Sequence, residues 1–266
     1  MHVGAMVWRI GNIDGFYEQF EWLAEGGFEG VAFHTAPSFG GGWASFDVRQ
    51  HDAADRERLK EAVKPFRSVT IHAESFNYDV ILESPNDDVR AGAVQSLERT
   101  LDLAAEIGAV AVTVHRGKSS APAGEAADEA FRRSVSDLSS MAGQRGVTVG
   151  FEIEEDFSAV TAAEGPVGIT LDIGHVARHR QSVGGAYPAV PDLVRVLDDR
   201  IVHVHVHDFD GTHDHITVGS GHIDIPGTVY ALTEIGYDGM LCLELNPDRC
   251  SPDEFLESKR ILEEHI

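Results

Sequence analysis

Residues 200–208 read RIVHVHVHD, with a histidine at every second position. A β-strand sends alternate side chains to opposite faces, so His203, His205 and His207 share one face and the valines take the other. Imidazoles on a buried strand are costly unless something uses them, and the commonest use of convergent neutral imidazoles is metal ligation. The alternative is a histidine-rich edge strand facing solvent. Five other apolar runs weigh against it, because each carries an ionisable residue at or near its C-terminal end. Residues 68–73 close on His72 and 109–117 on His115; 147–153 carry Glu152, 167–175 carry Asp172 and His175, and 240–245 carry Glu244. Six such endings suggest a shared construction.

The elements that must position these residues alternate along the chain. A strand over 2–8 precedes an amphipathic helix over 14–25, with Phe16, Phe20 and Leu23 on one side and Gly26-Gly27 as its stop. A strand over 28–34 leads into a Gly-rich aromatic segment over 35–52 that includes Phe39, Trp43 and Phe46, which reads as a lid or binding loop. Helices are expected over 53–63, 87–107 and 123–146, separated by the strands that end in His72 and His115. A short connection over 157–165 follows the Glu152 strand. After the 167–175 strand come a loop, a helix over 191–197, the histidine strand and a loop to Gly221. A helix over 226–235, a strand over 240–245 and a helix over 253–266 close the chain. The Val/Ile/Leu-rich strands are short, as strands buried on both faces should be. Eight βα units in about 250 residues are the signature of a (β/α)8 TIM barrel, an α/β fold. No Pro/Gly/Ser linker divides residues 1–266, which read as one domain. A doubly wound sheet is the main rival, but it rarely places polar residues at six strand ends. In the barrel, all strand C-termini meet on one rim, where the active site lies.

Composition narrows the function. Hydrophobic residues make up 42%, enough for a full core, and no run approaches the roughly 20 apolar residues of a membrane span. The opening Met1-His2-Val3-Gly4 lacks the basic start of a signal peptide, and Cys242 and Cys250 make no disulfide framework, so a cytoplasmic enzyme is expected. Lys+Arg total 21 against Asp+Glu 44, a net charge of −23, and lysine occurs only at positions 60, 64, 118 and 259. Such a surface repels nucleic acid, whose binding is driven by Lys/Arg and counterion release. Adaptation to a high-salt cytoplasm also explains it, since screening there makes self-repulsion tolerable. On that halophilic reading, net charge says little about the substrate.

At this point a resemblance becomes specific. Its carriers are Ile71-His72-Ala73, Val114-His115-Arg116-Gly117, Phe151-Glu152, Leu171-Asp172-Ile173-Gly174-His175, Val204-His205-Val206-His207-Asp208, residues 215–221 (HITVGSG), and Gly236-Tyr237-Asp238-Gly239 before Leu243-Glu244. In this order the chain resembles, over nearly its whole length, the xylose isomerase-like barrel superfamily. That superfamily holds sugar epimerases, hydroxypyruvate isomerase, inosose dehydratase and endonuclease IV. The resemblance implies a divalent metal held by Glu152, Asp172, His205 and Glu244. Three carboxylates and one imidazole suit Mn²⁺, Mg²⁺, Co²⁺ or Zn²⁺ and leave positions for substrate oxygens. As in the sugar-epimerizing members, Glu152 and Glu244 are the implied acid/base pair. One removes the proton next to a polarised carbonyl to give an ene-diolate, and the other returns a proton. A structural ion pair inside the barrel is the plainer reading of these glutamates.

The resemblance implies that His72, His115, His175 and His215 contact a sugar-like substrate. Matching positions in endonuclease IV instead help to hold three zinc ions, with an aspartate where this chain has His213. His203 is expected to be a satisfied core residue, His207 a group beside the substrate or the ligands, and Asp208 to orient an imidazole. His34 is placed near the rim, Arg116 and Arg178 are the rim arginines available for a phosphate, and Trp8, Trp43 and Phe76 are candidates for specificity. Three functions stay open: an isomerase or epimerase of a small sugar, sugar phosphate or hydroxy-ketone; a zinc phosphodiesterase acting on abasic DNA; and a dehydratase or a sugar-binding barrel without isomerization. The relatives allow a homo-oligomer.

Overall fold

The apolar runs fold as eight strands: β1 (His2–Val7), β2 (Gly30–Thr35), β3 (Ser68–Ala73), β4 (Ala111–His115), β5 (Thr148–Glu152), β6 (Val167–Asp172), β7 (Ile201–Val206) and β8 (Met240–Leu243). A computed structural model describes residues 1–7, 13–35, 46–73, 80–117 and 124–266. The strands are parallel and pair in chain order, and β8 returns to β1 to close the barrel. The helices between and after them are α1 (Ile13–Glu25), α2 (Ala53–Val63), α3 (Asp87–Ile107), α4 (Glu125–Arg145), α5 (Ser158–Thr161), α6 (Ile173–Ser182), α7 (Val190–Leu197), α8 (Ile225–Glu234) and α9 (Pro252–Glu263). The expected (β/α)8 TIM barrel is what forms.

Period-two alternation divides each strand between two environments. Outward residues such as Val31, Phe33, Val69, Ile71, Val149, Phe151, Leu241 and Leu243 are buried against the helices in one continuous apolar core. Many inward residues are small or polar. Thr70 Oγ1 meets His203 Nε2 at 3.3 Å across the barrel, and Thr113 meets Thr170 at 3.0 Å. Met6, Ala32, Met240 and Cys242 form a separate apolar cluster. It sits inside the barrel, below the ionisable ends. Two glycines make its packing feasible: a Cβ on Gly4 or Gly30 would stand 2.1 or 2.2 Å from Met240 Sδ.

One expected strand ends early. Residues 167–175 divide at Asp172, where β6 stops and α6 starts. Asp172 causes the change, because its side chain accepts the His175 backbone N–H at 2.7 Å and caps the helix. His175 therefore lies in the first turn of α6 rather than on a strand. The 157–165 connection also holds one helical turn, α5. No helix among the described residues is long and apolar enough to cross a membrane.

Candidate metal and substrate site

Parallel register brings the ionisable residues to one rim. His115, Glu152 and Asp172 end their strands, His72 and His205 stand one residue before a strand end, and Glu244 directly follows β8. His175 joins them from α6 and His215 from the loop between β7 and α8. His72, Glu152, Asp172, His205 and Glu244 are buried, while His115, His175 and His215 are partly exposed. Buried groups thus form a floor, and the other three imidazoles stand nearer the solvent.

At the floor, His205 Nδ1 lies 2.9 Å from Glu244 Oε2 and 3.2 Å from Glu152 Oε2. These are ion-pair distances off the line of a hydrogen bond: none of the three atoms has a hydrogen-bond partner, although all three are buried. Buried polar atoms are normally hydrogen-bonded. Two carboxylate oxygens and an imidazole nitrogen that converge without such bonds are a donor set suited to a divalent cation. One donor atom each from Asp172, His205 and Glu244 lies within 4.8 Å of the others, and the same holds for His72, Glu152 and His205. The four residues expected as ligands thus fall into two overlapping sets that share His205. Glu152 links them to the other imidazoles of the rim. Its Oε1 pairs with His175 Nδ1 at 3.0 Å, and its Oε2 lies 3.4 Å from His72 Nε2 and 3.7 Å from His115 Nε2.

The electrostatics follow from burial and pairing. Burial disfavours the charged form of Glu152, yet the rings of His115, His175, His205 and His72 hold its carboxyl well below the usual range. Burial also opposes the Glu244 carboxylate, and His205 outweighs it. His205 is the counterpart: burial pulls it down, but Glu244 and Glu152 raise it well above an ordinary imidazole. His175 likewise rises to about 10 against burial, through Asp172 and Glu152. Burial dominates at His34 and His115, pushing them down to about 3 and about 4. The rim thus mixes imidazoles that favour a proton with imidazoles that refuse one.

The flanking residues divide. His203 is a buried interior residue facing Thr70, as expected. His34 is buried with its ring centroid 4.5 Å from that of His72, so it supports the floor. Asp208 does not orient an imidazole. Its carboxylate accepts the backbone N–H groups of Phe209, Gly219 and Ile223 at 2.8, 2.9 and 3.1 Å, which ties the β7–α8 loop together. His213 faces outward, with a side chain 49% exposed and paired with Asp210, so it does not join the His175–His215 cluster. Arg116 donates to Glu83 at 2.6 Å and Asp128 at 2.7 Å; Arg178 donates to Glu154 at 3.1 Å and to Asp214. Two carboxylates satisfy each arginine, so neither is a free phosphate contact. Phe46 packs in the core near Phe16 and stacks on His51. Trp8, Phe39, Trp43 and Phe76 lie outside the described residues. The sequence reading missed Asp214, which bridges the rim: its Oδ1 stands 3.2 Å from His215 Nδ1, while its other oxygen takes Arg178. Its place next to His215 was the available signal.

The chain is thus a closed parallel TIM barrel with carboxylates and imidazoles gathered on its C-terminal rim. The chain belongs to the xylose isomerase-like TIM barrel family, whose sequence profile matches residues 20–265. An uncharacterized protein of Methanocaldococcus jannaschii is 28% identical over 201 residues, 69% of this chain; the match spans 65% of that relative's length. A D-tagatose 3-epimerase-like protein superposes with a TM-score of 0.78 at 21% identity, covering 100% of this chain and 97% of its own. The 3-keto-D-glucoside 4-epimerase of E. coli gives 0.76 at 17% identity, covering 99% of each chain. At these identities, the structural likeness is one of fold.

Proposed function

We propose that the chain is a divalent-metal-dependent isomerase or epimerase of a small sugar or related hydroxy-ketone. The observation that carries this reading is the convergence of buried Glu152 Oε2, His205 Nδ1 and Glu244 Oε2 without hydrogen bonds. A 3-keto-D-glucoside 4-epimerase and a D-tagatose 3-epimerase-like protein among the fold's neighbours support it. Glu152, Asp172, His205 and Glu244 would hold Mn²⁺, Mg²⁺, Co²⁺ or Zn²⁺. When bound, that cation supplies Lewis-acid polarisation of the substrate carbonyl. Glu152, from β5, and Glu244, after β8, both reach the Nδ1 of His205. One takes the proton from the carbon next to the carbonyl, and the other returns a proton to that carbon or its neighbour. Both glutamates favour ionisation, which suits the base role in either direction. His72 in the floor and His115, His175 and His215 nearer the solvent would hydrogen-bond sugar hydroxyls. Low-dielectric surroundings strengthen each of these contacts.

The test is a ketose screen in deuterated water with Mn²⁺-loaded protein, followed by NMR. Epimerization with deuterium incorporated at one carbon supports the reading. A protein that binds Mn²⁺ but exchanges no ketose proton would count against catalysis. One observation favours a second reading: His72 and His115 both point Nε2 at Glu152 Oε2, which suits an additional zinc and a phosphodiesterase. Two or three zinc ions per chain and cleavage of abasic-site DNA would support that reading instead.

A further inference from the structure

Beside the floor, Asp172, His175, His207 and His215 each offer a donor atom within 4.8 Å of the others. Residue types alone suggest a second cation there, with His207 as a ligand. The hydrogen bonds of His207 argue otherwise. Its Nδ1 accepts the backbone N–H of His215 at 2.8 Å, so that nitrogen presents a lone pair. In a neutral imidazole the proton then sits on Nε2. Nε2 lies 3.0 Å from one Asp172 oxygen and 3.1 Å from the other, and donates into that carboxylate. A nitrogen that keeps its proton has no lone pair for a metal.

The surroundings hold the ring in this state. The His207 side chain is fully buried, rests on Gly174 and stacks on the His215 ring with centroids 3.9 Å apart and planes 13° apart. His215 brings its amide to Nδ1 through a backbone φ of 54°, a region that costs a non-glycine residue energy. The carbonyl oxygen of Asp208, 3.3 Å from Nδ1, is the competing partner and would need a proton on that nitrogen. Asp172 also takes the His175 amide, so two donors fix its rotation while each oxygen keeps lone pairs for a cation.

We infer that His207 is a positioning residue, not a ligand: its Nε2–H, set by the amide of His215, holds Asp172 in the orientation a cation needs. This role rests on the proposed reading of Asp172 as a ligand. The experiment combines ¹⁵N-histidine NMR of the full chain, before and after Zn²⁺ addition, with Zn²⁺ titration calorimetry. The His207 signals are assigned by their disappearance in His207→Gln. The expected spectrum shows a protonated Nε2 and an unprotonated Nδ1 in both states. Calorimetry should show Zn²⁺ affinity falling about 10–100-fold in His207→Phe, the usual cost of losing an outer partner, and staying near wild type in His207→Gln, which keeps an N–H at that place. Loss of the Nε2 proton on Zn²⁺ addition overturns the inference, as does unchanged affinity in a folded His207→Phe protein. Failure of the wild type to bind Zn²⁺ overturns the metal centre itself, and this role with it. The wild-type spectra decide the tautomer even if His207→Phe does not fold.

Discussion

The His207 imidazole fills the space that a side chain on Gly174 would need. A Cβ there would lie 1.9 Å from Cε1, 2.2 Å from Nδ1 and 2.7 Å from Nε2. Gly174→Ala must push the ring off Asp172 or shift α6. Overpacking of this kind costs about 1–3 kcal/mol. The penalty should shrink sharply in a His207→Ala background, and urea denaturation of the four proteins in a double-mutant cycle reads that coupling. Additive losses would show that the two residues do not compete.

Glu152→Gln and Glu244→Gln keep size and shape but remove the carboxylate proposed to move a proton. Each should cut deuterium exchange into a ketose by roughly 10²-fold or more, the usual worth of a general acid or base. Circular dichroism should stay unchanged. Retained exchange in either variant would remove that glutamate from the pair.

Cation binding should stabilise the fold. At a free concentration 100 times Kd, the gain is about 2.7 kcal/mol, visible as a rise in Tm over chelator-treated protein. His205→Ala removes the imidazole common to both converging sets and should erase the rise. A variant that still responds to Mn²⁺ would place the site elsewhere.

The pH profile of metal-free protein follows from the two kinds of histidine. His175 rises from 6.5 to about 10 in the fold, so between those values the folded state holds a proton that the unfolded chain has lost. Its contribution is full below pH 6.5 and disappears as pH climbs to about 10. His34 and His115 fall to about 3 and about 4, so on acidification the unfolded chain gains their protons first. Their contribution is full above 6.5 and is lost toward those lower values. Urea midpoints in chelator should therefore peak near neutrality. A flat profile on the alkaline side would mean that His175 carries no extra proton.

A net charge of −23 predicts a salt response. Raising ionic strength from 0.1 M to 1 M shortens the screening length from about 10 Å to about 3 Å. Carboxylate repulsion should weaken and Tm rise in KCl. A fall in Tm would argue against a protein suited to high salt.

Much of this site was legible because strand periodicity and a polar C-terminal residue are local signals. They place His72, His115, Glu152, Asp172, His205 and Glu244 on one rim from the sequence alone. Helix α6 was illegible: its buried residues, Ile173, Gly174 and Val176, lie in the first turn and continue the apolar run of β6. Asp208 next to a histidine suggested a carboxylate that orients an imidazole, but it serves backbone amides contributed by a folded loop. The work of His207 depends on Gly174, Asp172 and His215 at once, and sequence spacing does not encode that meeting.

The Met240 thioether, lodged where Gly4 and Gly30 leave room, gives the barrel a solid floor. On the proposed reading, a sugar that enters from the rim leaves by the same doorway, so arrival and departure compete for one threshold. The plugged end is free of that duty, so its residues answer to folding alone.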